Sequence, residues 1–131
     1  MRFLAAVVVA VGVALALPGC SSSVEPGTVL MTEGNDYSPS ALTVQAGEKL
    51  EFRNDSGAGH SVTAYDDGVP QGADFFSSGN FEDEEAAREG VGASLIEPGD
   101  SFEITLDEPG TYRYFCIPHE QQGMKGTITV E

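Results

Sequence analysis

Basic residues are scarce in this 131-residue sequence: six Lys and Arg stand against 21 Asp and Glu, for a formal net charge of −15. A surface of that sign repels polyphosphate, so nucleic acid is excluded as a partner. Cysteine occurs twice, which leaves Cys20 to Cys116 as the one disulfide the chain could form, and histidine also occurs twice. No apolar run is long enough to cross a bilayer: the longest, Phe3 to Leu17, has about 15 residues against the roughly 20 that a spanning helix needs. No internal repeat is present.

What is there begins with MRFLAAVVVAVGVALALPG, residues 1–19, whose single charge at Arg2 and apolar run read as a signal peptide. The run ends in LPGC, which resembles the lipobox of bacterial and archaeal lipoproteins, although Pro18 replaces the usual small residue. That resemblance implies a lipid on Cys20 and an exported protein anchored to the outer face of the cytoplasmic membrane or the periplasmic side of a membrane. Residues 20–27, the lipidated Cys and a polar stretch ending in Pro26 and Gly27, read as a linker that reaches roughly 15 Å if flexible. Residues 28–131 form one domain, expected to be monomeric. With Cys20 lipidated, Cys116 has no partner, and an odd thiol in an oxidising compartment suggests a reactive or ligating role. A Cys20 to Cys116 disulfide and a buried inert thiol stay open at this stage. Acids run from Glu25 to Glu131, a spread that favours the surface acidity of salt-adapted proteins over a docking face for one basic partner.

Short runs rich in Val, Ile, Thr, Tyr and Phe recur between Gly, Pro, Asn and Asp clusters: TVLMT, ALTV, EKLEFRN, HSVTAYD, ASLIE, SFEITL, TYRYFCI and KGTITVE. Several alternate, as in Leu50 and Phe52 against Glu51 and Arg53, or Phe102, Ile104 and Leu106 against Glu103, Thr105 and Asp107. Period-two runs place one face in a core and the other in water. The pattern predicts an all-β, antiparallel sandwich of about 7 to 8 strands. GNFEDEEAAREG interrupts it as one short exposed helix, with Asn80 as cap, acids in the first turn, Arg88 in the last and Gly90 as terminator. Its charge run reads as a solvated face.

The segment YFCIPHEQQGM, Tyr114 to Met124, concentrates the rare residues. Pro118 stops the preceding strand because it cannot donate to a ladder, so Cys116 sits at a strand end. His119 and Met124 follow in a loop that Gly123 allows to bend. His60, the only other histidine, opens HSVTAYD directly after NDSGAG, a stretch read as flexible. In a sandwich, that strand end can come to lie beside the loop. Two imidazoles, a thiolate and a thioether select copper over hard cations, and two His plus Cys with a weak axial Met is an electron-transfer copper geometry. Structural zinc takes four strong nitrogen or sulfur ligands, and thioether is a poor one. Taken singly, the histidines read as surface or loop residues and Met124 as core filler. The joint pattern points to a metal.

The sequence resembles the small blue copper proteins, the cupredoxins, and among them the plastocyanin and halocyanin group. NDYSPSALTVQAGEKLEFRN, GHSVTAYDD and PGTYRYFCIPHEQQGMKGTITV carry the likeness. It implies a Greek-key β-sandwich and one copper ion, cycling between Cu(I) and Cu(II), with His60, Cys116, His119 and Met124 as ligands. It also implies an electron port at the edge of His119 beside Pro118. Ser61, next to His60, is expected as a donor towards the thiolate. The segment Asp66 to Gly92 is longer and more acidic than in compact plastocyanins, so partner choice transfers least.

Together these readings describe a membrane-tethered single-electron carrier between a donor and an acceptor redox protein, with no reaction of its own. The alternative is a copper storage or delivery lipoprotein. Such proteins tend to carry surplus Met and His, whereas Met31, Met124 and two histidines are all that follow residue 19. A multicopper oxidase or copper nitrite reductase needs further His ligands, which argues against an enzyme. A metal-free adhesive or structural lipoprotein is the remaining reading.

Overall fold

Tyr112, Tyr114 and Cys116 share one phase of a period-two strand, and all three are buried. That run sets the interior of the computed structural model, which describes residues 25–131. The expected signal peptide, Cys20 and most of the linker lie outside the described residues. Among the described residues eight strands form: β1 (Thr28–Met31), β2 (Tyr37–Ser38), β3 (Ala41–Val44), β4 (Lys49–Asn54), β5 (Thr63–Ala64), β6 (Ser101–Thr105), β7 (Gly110–Phe115) and β8 (Lys125–Val130). They make two four-stranded sheets, ordered β2-β1-β4-β6 and β3-β8-β7-β5. The two inner faces enclose one core that includes Phe52, Tyr112, Tyr114, Leu50 and Ile128. Each such side chain contributes about 1.5 to 3 kcal/mol by leaving water.

The sandwich is mixed rather than antiparallel, because β1 pairs parallel with β4 and β3 parallel with β8. Alternation fixes which face of a strand is buried and says nothing of its neighbour's direction. In β4 the inward phase runs Leu50, Phe52 and then Asn54, so a polar side chain occupies a core register. In β6 the expected inward residues Phe102 and Ile104 are only half-buried, since β6 is an edge strand. HSVTAYD contributes only Thr63 and Ala64 as strand, and His60 instead makes an isolated bridge to Ile96. ASLIE is not a strand: Val91–Ser94 is a second short helix, α2.

The first helix, α1, spans Glu84–Glu89. Its cap is Asp83, whose carboxylate accepts from the Ala86 amide at 2.8 Å, and not Asn80, which holds a left-handed turn at φ 56°. Gly90 terminates α1 as expected. The helix does not stand clear of the sandwich. Phe115 points to the outer face of β7 and is nevertheless fully buried, stacked on Tyr65 at 4.3 Å with the Arg88 guanidinium 4.3 Å from its ring centroid.

Two core tyrosines separate a satisfied hydroxyl from an unsatisfied one. Tyr37 donates to the Ser61 carbonyl at 2.6 Å, whereas the Tyr114 hydroxyl is buried without a partner against Gly126, where a Cβ would overlap the ring. Tyr114→Phe is therefore expected to leave stability unchanged or raise it by about 1 kcal/mol, while Tyr37→Phe lowers it by about 1 to 2 kcal/mol. Urea unfolding of the two variants beside the native chain measures both, and a loss for Tyr114→Phe equal to that for Tyr37→Phe contradicts the assignment.

Candidate metal centre

Cys116 continues the inward phase of β7 one residue past the strand's end, where the chain turns into a 3-10 segment, Ile117–Gln122. Pro118 at the start of that segment supplies a fixed φ and needs no donor, so the ladder stops and a tight turn begins. Three turn hydrogen bonds close the loop, from the His119 amide to the Cys116 carbonyl at 3.2 Å, from the Gly123 amide to the Glu120 carbonyl at 3.0 Å and from the Met124 amide to the His119 carbonyl at 3.2 Å. Gly123, at φ 88°, takes the left-handed position that returns the chain into β8. Cys116 and Met124 are thereby brought together, the Cys116 amide donating to the Met124 carbonyl at 3.0 Å.

His60 arrives from the other half of the chain. It is fully buried and held to Ile96 by a reciprocal backbone pair, 3.2 Å from its own amide and 2.7 Å from that of Ile96. The loop before it, expected to be flexible, is pinned from inside by Asn54. Asn54 Nδ2 donates to the carbonyls of Ala58 at 2.7 Å and Ile96 at 2.8 Å. Its Oδ1 accepts from the Ser56 amide at 3.0 Å and the Ser56 hydroxyl at 2.8 Å. Having given its proton to Asn54, the Ser56 hydroxyl meets His60 Nε2 as an acceptor, at 2.8 Å. The imidazole proton therefore sits on Nε2, and the Nδ1 lone pair is free.

That lone pair points at the other donors. His60 Nδ1 lies 3.2 Å from His119 Nδ1 and 3.8 Å from Cys116 Sγ, and His119 Nδ1 lies 3.3 Å from Cys116 Sγ. The point equidistant from these three atoms is about 2 Å from each, close to the roughly 2.0 to 2.3 Å of nitrogen and sulfur bonds to an ion such as zinc. His60 and Cys116 are buried and His119 is half-buried. Burial, and then the proximity of His119, keep His60 below the usual histidine range, so its ring is neutral and able to ligate. Burial pushes the Cys116 thiol up, opposed by the Ser61 amide, which donates to Sγ at 3.3 Å. A bound cation would complete that stabilisation of the thiolate.

Three of the four expected ligands, His60, Cys116 and His119, meet at one end of the sandwich, and Met124 is fully buried in the same core, its carbonyl accepting from the Cys116 amide. Ser61 is a donor to the sulfur through its backbone amide, while its hydroxyl accepts from the Ile117 amide at 2.8 Å and ties the two ligand-bearing segments together. Pro118 is exposed beside His119. Asn54 and Ser56 were missed in the sequence. The signal that could have found them is the inward phase of Leu50 and Phe52 carried one step on to Asn54.

Two imidazole nitrogens and a cysteine sulfur within bonding reach of one point, with a methionine buried in the same core, define a type 1 copper site at one end of the β-sandwich. Comparison with known proteins places the chain in a family of that kind. A family model described as copper binding proteins, plastocyanin/azurin family, matches residues 27–131, and the chain belongs to that family. Plastocyanin of Ginkgo biloba is 38% identical over 94 residues, covering 72% of this chain and 86% of that protein. The solved oxidised plastocyanin of the fern Dryopteris crassirhizoma is 31% identical at a TM-score of 0.56, over 79% of this chain and 99% of that one. A copper-containing nitrite reductase from Thermus scotoductus is 25% identical at a TM-score of 0.60, but the match spans 89% of this chain and only 25% of the reductase.

Proposed function

We propose that the protein is a single-electron carrier tethered to a membrane by a lipid on Cys20, exchanging electrons with a donor and an acceptor protein and catalysing no reaction of its own. The observation that carries the reading is the triangle of His60 Nδ1, His119 Nδ1 and Cys116 Sγ, whose corners are set by backbone and buried side-chain hydrogen bonds. A copper ion held there supplies one-electron chemistry by alternating between Cu(I) and Cu(II). The chain's part is to keep the donors from rearranging as the charge changes. Asn54 and Ser56 fix the His60 ring, the Ser61 amide supports the sulfur, and the Ser61 hydroxyl locks the Cys116 segment to the His60 segment. A site so constrained costs little to reorganise, which favours rapid transfer. His119, with Nδ1 turned inward and Pro118 exposed alongside, offers its other ring edge as the port.

The LPGC sequence at residues 17–20 supports the anchor, at the outer face of the cytoplasmic membrane or the periplasmic side of a membrane. Acids spread over the whole chain support a salt-adapted surface, in which a screening length near 3 Å at about 1 M salt leaves little long-range steering.

Adding Cu(II) to the purified protein is expected to give an intense blue, thiolate-to-copper band at one equivalent and a reversible one-electron wave. A colourless or ordinary tetragonal complex overturns the reading. Storage or delivery is separated by challenge with a chelator: a carrier holds its copper, whereas a delivery protein gives it up within the mixing time. The mass of the native N-terminus reports the lipid.

A further inference from the structure

Arg88 lies in α1, in the long acidic segment that sets this chain apart, and its side chain is not free in solvent. Nη1 donates to Glu120 Oε2 at 2.7 Å and Nη2 to Glu120 Oε1 at 3.2 Å, so the guanidinium grips both oxygens of one carboxylate. Glu120 directly follows His119. The same guanidinium is anchored within its helix, Nε and Nη2 donating to Glu84 Oε1 at 2.9 and 2.7 Å. Glu84 is fastened in turn to the body of the sandwich: its Oε2 accepts from the Asp66 amide and its amide donates to Asp66 Oδ1. Tyr65 adds a hydroxyl to Glu120 Oε1 at 3.0 Å while stacking on Phe115, the residue before Cys116.

We propose that Arg88 is a positioning residue for the metal loop: it straps α1 to Glu120, so that the segment carrying His119 opens less often. The need for a strap follows from the loop itself. A 3-10 segment has poor hydrogen-bond geometry and frays readily, and this one ends in a glycine. The Ser61 hydroxyl holds only the segment's first residue, Ile117, and at its far end the tie from Asn35 Nδ2 to Gln122 Oε1 is exposed. The strap is better protected, with side-chain exposures of 37% for Arg88 and 24% for Glu120, so solvent screens it only in part. A planar fork matched to a carboxylate also keeps its geometry where a lysine would not. Because Glu84 already fixes the guanidinium, little further side-chain entropy is lost in engaging Glu120.

The inference rests on His119 being a ligand, and the experiment is divided so that the strap and the metal are read separately. Amide hydrogen exchange is followed in the metal-free full chain for Gly123 and Met124, whose amides close the loop, with Ile128 in β8 as the core reference. Arg88→Met is expected to speed exchange of the loop amides about tenfold relative to Ile128, the scale of one charge-assisted hydrogen-bonded pair discounted for exposure. Arg88→Lys, which keeps the charge and the helix but not the fork, is expected to fall between Arg88→Met and the native chain. It carries the test should Arg88→Met unseat α1. Lys49→Met, which breaks the exposed Lys49–Glu103 pair, is expected to change nothing at the loop. In the copper-loaded protein, release to a chelator is expected to quicken about tenfold in Arg88→Met and in no more than small measure in Lys49→Met. Loop amides that keep native rates, or that speed up only in step with Ile128, overturn the strap. Failure to take up copper, with loop-specific exchange as expected, overturns the metal assignment instead.

Discussion

Cys116→Ser is expected to abolish the blue band of the copper-loaded protein while leaving the fold in place. The hydroxyl occupies less space than the thiol, and the Ser61 amide keeps an acceptor to donate to. What is lost is the soft, covalent donor: an alkoxide does not form at neutral pH, and no low-energy sulfur-to-metal transition remains. Copper affinity should fall by more than about a hundredfold, beyond the range reached by removing a residue that merely supports a ligand. Absorption spectroscopy and competitive titration read the two effects, and far-UV circular dichroism checks the fold. Retention of an intense blue band in Cys116→Ser would remove the sulfur from the centre, and with it the site described above.

The second large effect is expected at a residue that touches no metal. Asn54 is 1% exposed and uses both amide hydrogens and two lone-pair positions inside the protein. Asn54→Ala removes four buried hydrogen bonds: the Ser56 amide loses its only acceptor, while the Ile96 carbonyl keeps the His60 amide and the Ala58 carbonyl keeps the Ser56 hydroxyl. At about 1 kcal/mol for each of the four hydrogen bonds lost, and with the loop partly rehydrating, the loss should be about 3 kcal/mol. For a domain of this size that corresponds to a fall in Tm of about 12 to 24 °C. Copper affinity should drop about 10- to 100-fold, because the Ser56 hydroxyl is then free to rotate and no longer fixes the His60 ring. Thermal unfolding of the metal-free protein and a copper titration measure these in turn. A loss below about 1 kcal/mol in Asn54→Ala would show that water replaces the side chain, and that the loop is not built around it.

The two substitutions differ in how readily the sequence points to them. Cys116, His119 and Met124 stand within nine positions in a chain that has few such residues, and their combination of soft donors suits one metal chemistry better than others. Asn54 is one asparagine at the end of a strand, followed by Asp55, Ser56 and Gly57, a composition shared by mobile turns. Its role depends on carbonyls from Ala58 and from Ile96, 42 positions away. Arg88 shows the same limit. On a helical wheel it is a charged residue amid acids, and a solvated face is the natural reading. Only the fold brings Glu120 within its reach, 32 positions along the chain.

The same division runs through the fold. Local period and turn chemistry settled which residues of β4, β7 and β8 face inward, where Pro118 stops a strand and where Gly90 ends a helix, since these depend on neighbours a few positions apart. Chain direction within the sheets was set otherwise, by which strands neighbour one another. β1 lies parallel to β4, and β3 to β8, because the chain crosses between the layers before returning, and no short window records that crossing. The helix cap moved from Asn80 to Asp83 for a related reason: both residues can cap, and the Phe81 ring packed against Gly79 and Gly90 leaves the turn to the first and the helix to the second.

By itself, then, the sequence determined an exported-looking acidic β protein and a set of donor atoms suited to copper, because residue type fixes chemistry and alternation fixes which side of a strand is dry. The tertiary structure alone decided that His60 meets Cys116 and His119 around a common point, which imidazole nitrogen carries the lone pair, and which charged residue braces the loop. The first and the last are contacts across a large gap in the chain, formed only when hydrophobic burial brings the two sheets together. The second depends on the buried Asn54 side chain, which accepts from the Ser56 hydroxyl beside His60.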